Sequence, residues 1–162
     1  MIDGQQLTGR WTKGSTMYDD VLIPTDGSET VPEALDHALP IATDNDATVH
    51  ALYVVDSRIT AAADRETREE VEASLEREGT AAVEAVEDAA TEAGLDSTTA
   101  IRKATPWRGI LDYAAETDVD LIVIGSHGKT PREKITSLGS VSERVVDGAE
   151  IPVLVVRSPD GG

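Results

Sequence analysis

LIVIGSHGKT, Leu121 to Thr130, runs an apolar strand into two glycines and a Gly-Lys-Thr triplet, the outline of many phosphate-gripping turns. A Walker P-loop requires G-x-x-x-x-G-K-[ST], which would put its first glycine at position 123. That residue is Val123, deep in the apolar run, and Pro131 interrupts any helix directly after Thr130. The P-loop is therefore excluded. The dinucleotide fingerprint G-x-G-x-x-G is excluded as well, because no first strand opens onto three such glycines. What remains is a buried strand, Leu121 to Ile124, and a loop, Gly125-Ser126-His127-Gly128, with Gly139-Ser140 directly before SVSERVV. Backbone N–H groups and a hydroxyl at such a helix start favour an anion, and phosphate is the natural guest.

Outward from this stretch, strand and helix signals alternate. Val21 to Ile23 is a short apolar run closed by PTDGS, Pro24 to Ser28, and helical spacing follows from Val31 to Ala42. VHALYVV, Val49 to Val55, is the next strand. Ala63 to Ala93 carries apolar residues at helical spacing, as one long or broken amphipathic helix with Gly79 as a weak point and Gly94 as its stop. A fainter strand covers Thr98 to Arg102, and Pro106 opens a helix with Ile110, Leu111 and Ala114 on one face. Ser140 to Val146 reads as a helix, and Pro152 to Val156, PVLVV, as the last strand. Such alternation predicts an α/β fold with a parallel sheet, helices on both faces and right-handed crossovers. Continuous apolar strands fit a sheet buried on both sides.

With 162 residues and 40% hydrophobic content, the chain suits one domain. Residues 1–16 read as a flexible extension or cloning remnant, residues 17–158 as the domain, and residues 159–162 as a tail. The absence of cysteine excludes disulfides, thiolate metal sites and a cysteine nucleophile. A net charge of −17, from 31 acidic against 14 basic side chains, argues against nucleic-acid and anionic-membrane partners. Acidic residues spread along the chain, missing phenylalanine and an Ala/Val/Thr-rich apolar complement suggest adaptation to high salt. No apolar run is long enough for a membrane span, and a soluble cytoplasmic protein is expected. His37, His50 and His127 are scattered, which gives a histidine metal site little support.

Three segments together resemble the universal stress proteins. They are VLIPTDGSE (Val21 to Glu29), YVVD (Tyr53 to Asp56) and DLIVIGSHGKTPREKITSLGSVSERVVDGAEIPVLVV (Asp120 to Val156). Nucleotide-binding members of that family carry G-x-x-G, about nine residues and then G-[ST] after an apolar strand, an arrangement suited to phosphate. Here residues 129–138 put ten residues between Gly128 and Gly139. Where many relatives have a glycine after the third strand, this chain has Ala104-Thr105-Pro106.

The resemblance implies a doubly wound five-stranded parallel sheet of order 3-2-1-4-5, with ligand across the carboxyl ends of the first and fourth strands. It further implies ATP or another adenine nucleotide as cofactor, with Mg²⁺ or Mn²⁺ held through the phosphates. Asp26 would accept hydrogen bonds from the ribose hydroxyls, although an aspartate there also suits an Asx turn or helix cap. Pro24 and Thr25 would rim the adenine, and Val54 would meet the base through its backbone and pack on its face. Ile124, Gly125 and Gly128 would shape the floor. Gly139, Ser140, Val141 and Ser142 would hold the phosphates, with His127 and Lys129 beside them or solvated.

No side-chain set reads as catalytic, so binding with slow hydrolysis at most is expected. The implied activity is that of a stress-response or signalling factor; a dimer that has lost its nucleotide and acts as a scaffold is the alternative. A response-regulator phospho-acceptor fits poorly, since no acidic cluster follows the first strand and no acceptor follows the third. Pro152 to Val156 would be an apolar edge strand pairing with its copy across a two-fold axis, giving a homodimer.

Overall fold

Strand alternation sorts the apolar residues into two layers on opposite faces of one sheet. The computed structural model describes residues 17–27, 30–126 and 140–157. Their elements are β1 (Asp20–Pro24), α1 (Thr30–Asn45), β2 (Thr48–Asp56), α2 (Ser57–Ala62), α3 (Arg68–Glu92) and β3 (Ser97–Ala104). Then come α4 (Pro106–Thr117), β4 (Leu121–Gly125), α5 (Ser140–Gly148) and β5 (Val153–Val156). All pairings are parallel, and the order β3-β2-β1-β4-β5 is the one expected.

Val21, Ile23, Val49, Ala51, Tyr53, Val55, Leu121 and Val123 face α1 and α3, which contribute Ala34, Ala38, Ala42, Val83, Val86 and Ala90. Leu22, Leu52, Ile122 and Ile124 face α4 and α5, which contribute Ile110, Tyr113, Ala114 and Val145. Burial on both faces explains why β1, β2 and β4 read as unbroken apolar runs. β3 lies at an edge and alternates between half-buried and exposed residues, hence its faint signal. It is also longer at both ends than the expected Thr98 to Arg102.

Of the segment from 63 to 93, Arg68 to Glu92 forms the one long helix of the two forms expected, and Gly79 is no weak point in it. A short α2 precedes it, and α3 runs unbroken from Arg68 to Glu92 with Gly79 buried inside. Gly79 is there because Tyr53 lies against it: a Cβ added at Gly79 would come 2.5 Å from Tyr53 Cδ1. Gly94 does stop the helix, at φ +78°. Its N–H donates to Thr91 O at 2.9 Å, and Leu95 N–H to Ala90 O at 2.9 Å, a left-handed closure that glycine adopts without strain.

At the N-terminal end of the strands, His50 joins three elements. Its Nε2 lies 2.9 Å from Asp20 Oδ1 at the start of β1, and its Nδ1 lies 2.8 Å from the Tyr113 hydroxyl of α4. Arg102 of β3 stacks on the Tyr113 ring, with Cζ 5.1 Å from its centroid. This polar knot belongs to the end of the sheet away from the ligand crevice of such folds.

Candidate functional site

β1 and β4 are neighbours, and the strand order reverses between them, so their carboxyl ends border the crevice of a doubly wound sheet. β1 ends at Pro24, which is half-buried. Thr25 continues the pairing, its N–H donating to Leu52 O at 2.8 Å, and is only 7% exposed. The chain then turns: Thr25 Oγ1 accepts from Gly27 N–H at 3.2 Å, and Gly27 has φ +78°. Asp26, half-buried between them, lies close enough to Tyr53 to act on its hydroxyl electrostatically.

Val54, near the end of β2, faces α4. A Cβ on Gly109 would stand 3.0 Å from both Val54 γ-carbons, so the helix backbone rides directly on this side chain. The half-buried Val54 side chain thus packs against α4 while its residue stands near the strand end.

Ile124 is 6% exposed and points toward α4 and α5, while Gly125 pairs with Val156 at the end of β4. Ser126 N–H donates to Val156 O at 2.8 Å, extending that pairing by a residue. Its carbonyl accepts from Ser142 Oγ at 3.2 Å, which ties the first turn of α5 to the end of β4. Ser140 is exposed at the start of α5, Val141 is half-buried in the second core layer, and Ser142 is buried. The sequence-derived residues Pro24, Thr25 and Asp26 thus stand at one side of the reversal and Ile124, Gly125, Ser140, Val141 and Ser142 at the other. His127, Gly128, Lys129 and Gly139 lie outside the described residues.

Around the β2 end, carboxylates gather. The Tyr53 hydroxyl donates to Glu78 Oε2 at 3.1 Å. Burial, then Glu78, then Asp26 and Asp56 hold its proton well above the ordinary tyrosine range. Asp56 caps α2, accepting from Arg58 N–H at 2.9 Å. It also receives the Arg58 guanidinium in two-pronged fashion, at 2.9 and 2.8 Å. That hydrogen bond keeps the Asp56 carboxyl below the usual aspartate value. Asp56 and Arg58 rim an open hollow walled by Ile59, Ala62, Ala63 and Val71.

On the other side, Trp107 in the first turn of α4 has Arg108 Cζ 5.0 Å and Arg144 Cζ 5.2 Å from its ring centroid. This aromatic–arginine cluster bridges α4 and α5 and escaped sequence reasoning, because Trp107 and Arg144 are joined only by helix packing. Ser126 also escaped, although it stands inside the glycine motif itself. Among the described residues no group of three or more His, Cys, Asp or Glu could hold a metal ion. Among them, too, no helix is long and apolar enough to cross a membrane.

The model described as the universal stress protein family matches residues 17–157. Universal stress protein MJ0531 of Methanocaldococcus jannaschii is 41% identical over 147 residues, covering 90% of this chain and 86% of that protein. The solved structure of the hypothetical protein MJ0577, from the same organism, superposes with a TM-score of 0.81 at 34% identity. That match covers 90% of this chain and 99% of that one. A family protein from Arabidopsis thaliana, solved with AMP bound, shares the fold at a TM-score of 0.65 and 20% identity, over 87% of this chain and 93% of that one.

Proposed function

The chain belongs to the universal stress protein family, and from that premise we propose that it binds an adenine nucleotide, ATP first, as a cytoplasmic stress-response or signalling factor. One observation carries the reading. The turn after β1, with Asp26, and the first turn of α5, with Ser140, border the same reversal of strand order, where open parallel sheets take ligands. The donor set suits the guest, since a carboxylate matches ribose hydroxyls and the amides of a helix N-terminus match phosphate.

In this reading Asp26 accepts from the ribose, Pro24, Thr25 and the Val54 backbone border the base, and Ile124, Gly125 and Gly128 form the floor. Gly139, Ser140, Val141 and Ser142 take the phosphates, with His127 and Lys129 beside them and Mg²⁺ or Mn²⁺ held through the phosphate oxygens. Among the described residues of the set none is a positioned general base, and the reading has turnover slow at most. The edge strand β5, with Val153, Leu154 and Val155 half-exposed, supports a homodimer by pairing with its copy.

Calorimetry with ATP and Mg²⁺ at low and molar salt tests the proposal, with Asp26→Ala as the variant. Wild-type protein should bind, and loss of the carboxylate should weaken binding on the order of tenfold. Equal affinity in both proteins refutes the site assignment. Sedimentation should report twice the chain mass; a monomer at working concentration removes the β5 pairing.

A further inference from the structure

This chain carries 31 acidic side chains against 14 basic ones, so a cation rarely lacks a carboxylate to meet. Arg58, Arg102 and Lys103 hold Asp56, Glu116 and Glu72 in turn, and Arg68 spans the carbonyls that close α2. Arg108 and Arg144 do neither. Among the described residues their guanidiniums make no ion pair, although Asp112 and Asp147 stand four and three residues further along the same helices. Both turn instead to the Trp107 ring, with Cζ atoms 5.0 and 5.2 Å from its centroid. Two like charges thus share one indole, no farther apart than those two distances laid end to end.

The ring is half-buried on the second core layer, while Arg108 and Arg144 are exposed. A guanidinium held over an aromatic ring keeps its in-plane N–H fork free for a carboxylate, and a side chain already held costs less to order on binding. The indole N–H and both guanidiniums donate only, so these three side chains together call for acceptors with negative charge. An exposed ion pair contributes little alone, which favours an occupant that engages both arginines and the ring at once. Exposed Asp112, Glu143 and Asp147 are near neighbours of the arginines in sequence. A phosphate backbone, charged at every step, meets repulsion from them, whereas a peptide can set carboxylates on the arginines and neutral side chains beside them.

We propose that Trp107, Arg108 and Arg144 form a docking surface for an acidic segment of a partner protein. Asp or Glu carboxylates of that segment take the two guanidinium forks, and Trp107 holds the forks in place. The inference goes beyond the nucleotide reading and does not depend on it.

The test uses the full chain with Trp11→Phe, which leaves Trp107 as its one tryptophan and its emission as the reporter. Titration with poly-L-glutamate near physiological salt should give a saturable change in that emission. The Arg108→Gln/Arg144→Gln double variant, shown by circular dichroism to be folded, should bind it about tenfold more weakly, the combined worth of two exposed ion pairs. Its ATP affinity and its sedimenting mass should match those of the parent. No response to polyglutamate, or equal affinity in parent and double variant, would overturn the docking surface. Tighter binding of oligothymidylate than of polyglutamate would overturn it in favour of nucleic acid. A fall in sedimenting mass in the double variant would give the surface to a second copy of this chain, and a tenfold loss of ATP affinity would give it to the nucleotide site; either result overturns the inference.

Discussion

Replacing Gly79 by alanine sets helix propensity against packing, and the two predict opposite signs. In an exposed helix interior, Gly→Ala gains about 1 kcal/mol. In α3, however, the new Cβ would stand 2.5 Å from Tyr53 Cδ1, 2.9 Å from Cγ and 3.0 Å from Cε1. Carbon atoms prefer about 3.5–4.0 Å, so the ring must retreat by roughly 1 Å. It has little room: Tyr53 is 5% exposed, its backbone is held in β2 between β1 and β3, and its hydroxyl is bonded to Glu78. Overpacking of this kind costs about 1–3 kcal/mol, and the rigid setting argues for the upper part of that range.

After the propensity gain, a net loss of about 1–2 kcal/mol remains, or a fall in Tm of roughly 2–8 °C for a chain of this size. Urea unfolding followed by far-UV circular dichroism reads it directly. Repeating the substitution in a Tyr53→Ala background should reverse its sign to a gain of about 1 kcal/mol, because the opposing ring is gone. A wild-type background stabilised by Gly79→Ala, or the same effect in both backgrounds, would refute the argument.

His50→Ala removes two buried hydrogen bonds that join β1, β2 and α4, and should cost about 2–4 kcal/mol in urea unfolding while leaving ATP affinity unchanged. At alkaline pH, the buried Tyr53 and Tyr113 hydroxyls hold their protons above the ordinary tyrosine value of 10.0. Their folded-state values are raised, so this contribution to stability is complete below pH 10 and is lost as pH climbs past it. Urea midpoints should therefore fall on the alkaline side, less steeply in Tyr53→Phe. Asp56 shows the opposite sign. Its pKa is lowered by Arg58 from 3.8, so its contribution is present above that pH and fades as acid protonates it. Asp56→Ala should lose the α2 cap for about 1 kcal/mol at neutral pH, and this difference should shrink in acid unfolding titrations.

Much of this molecule is legible from local pattern alone. The apolar runs at Val21 to Ile23, Val49 to Val55 and Leu121 to Ile124 announce strands covered on both faces, and Gly94 announces the end of α3. The turn after β1 and the Gly125 motif mark the carboxyl ends of two strands that the sheet makes neighbours, because periodicity and turn chemistry are written within a few residues of where they act.

Tertiary structure decided the rest. Gly79 reads as a helix defect until Tyr53, from another element, is seen lying across it. Val54 reads as one more residue of an apolar strand until Gly109 of α4 is seen resting on its side chain. Trp107 gathers Arg144 from a different helix, and Ser126 becomes a stranded donor only once α5 closes over it. In each case the deciding partner is distant in the chain, and contact free energy between distant residues leaves no periodic trace in sequence.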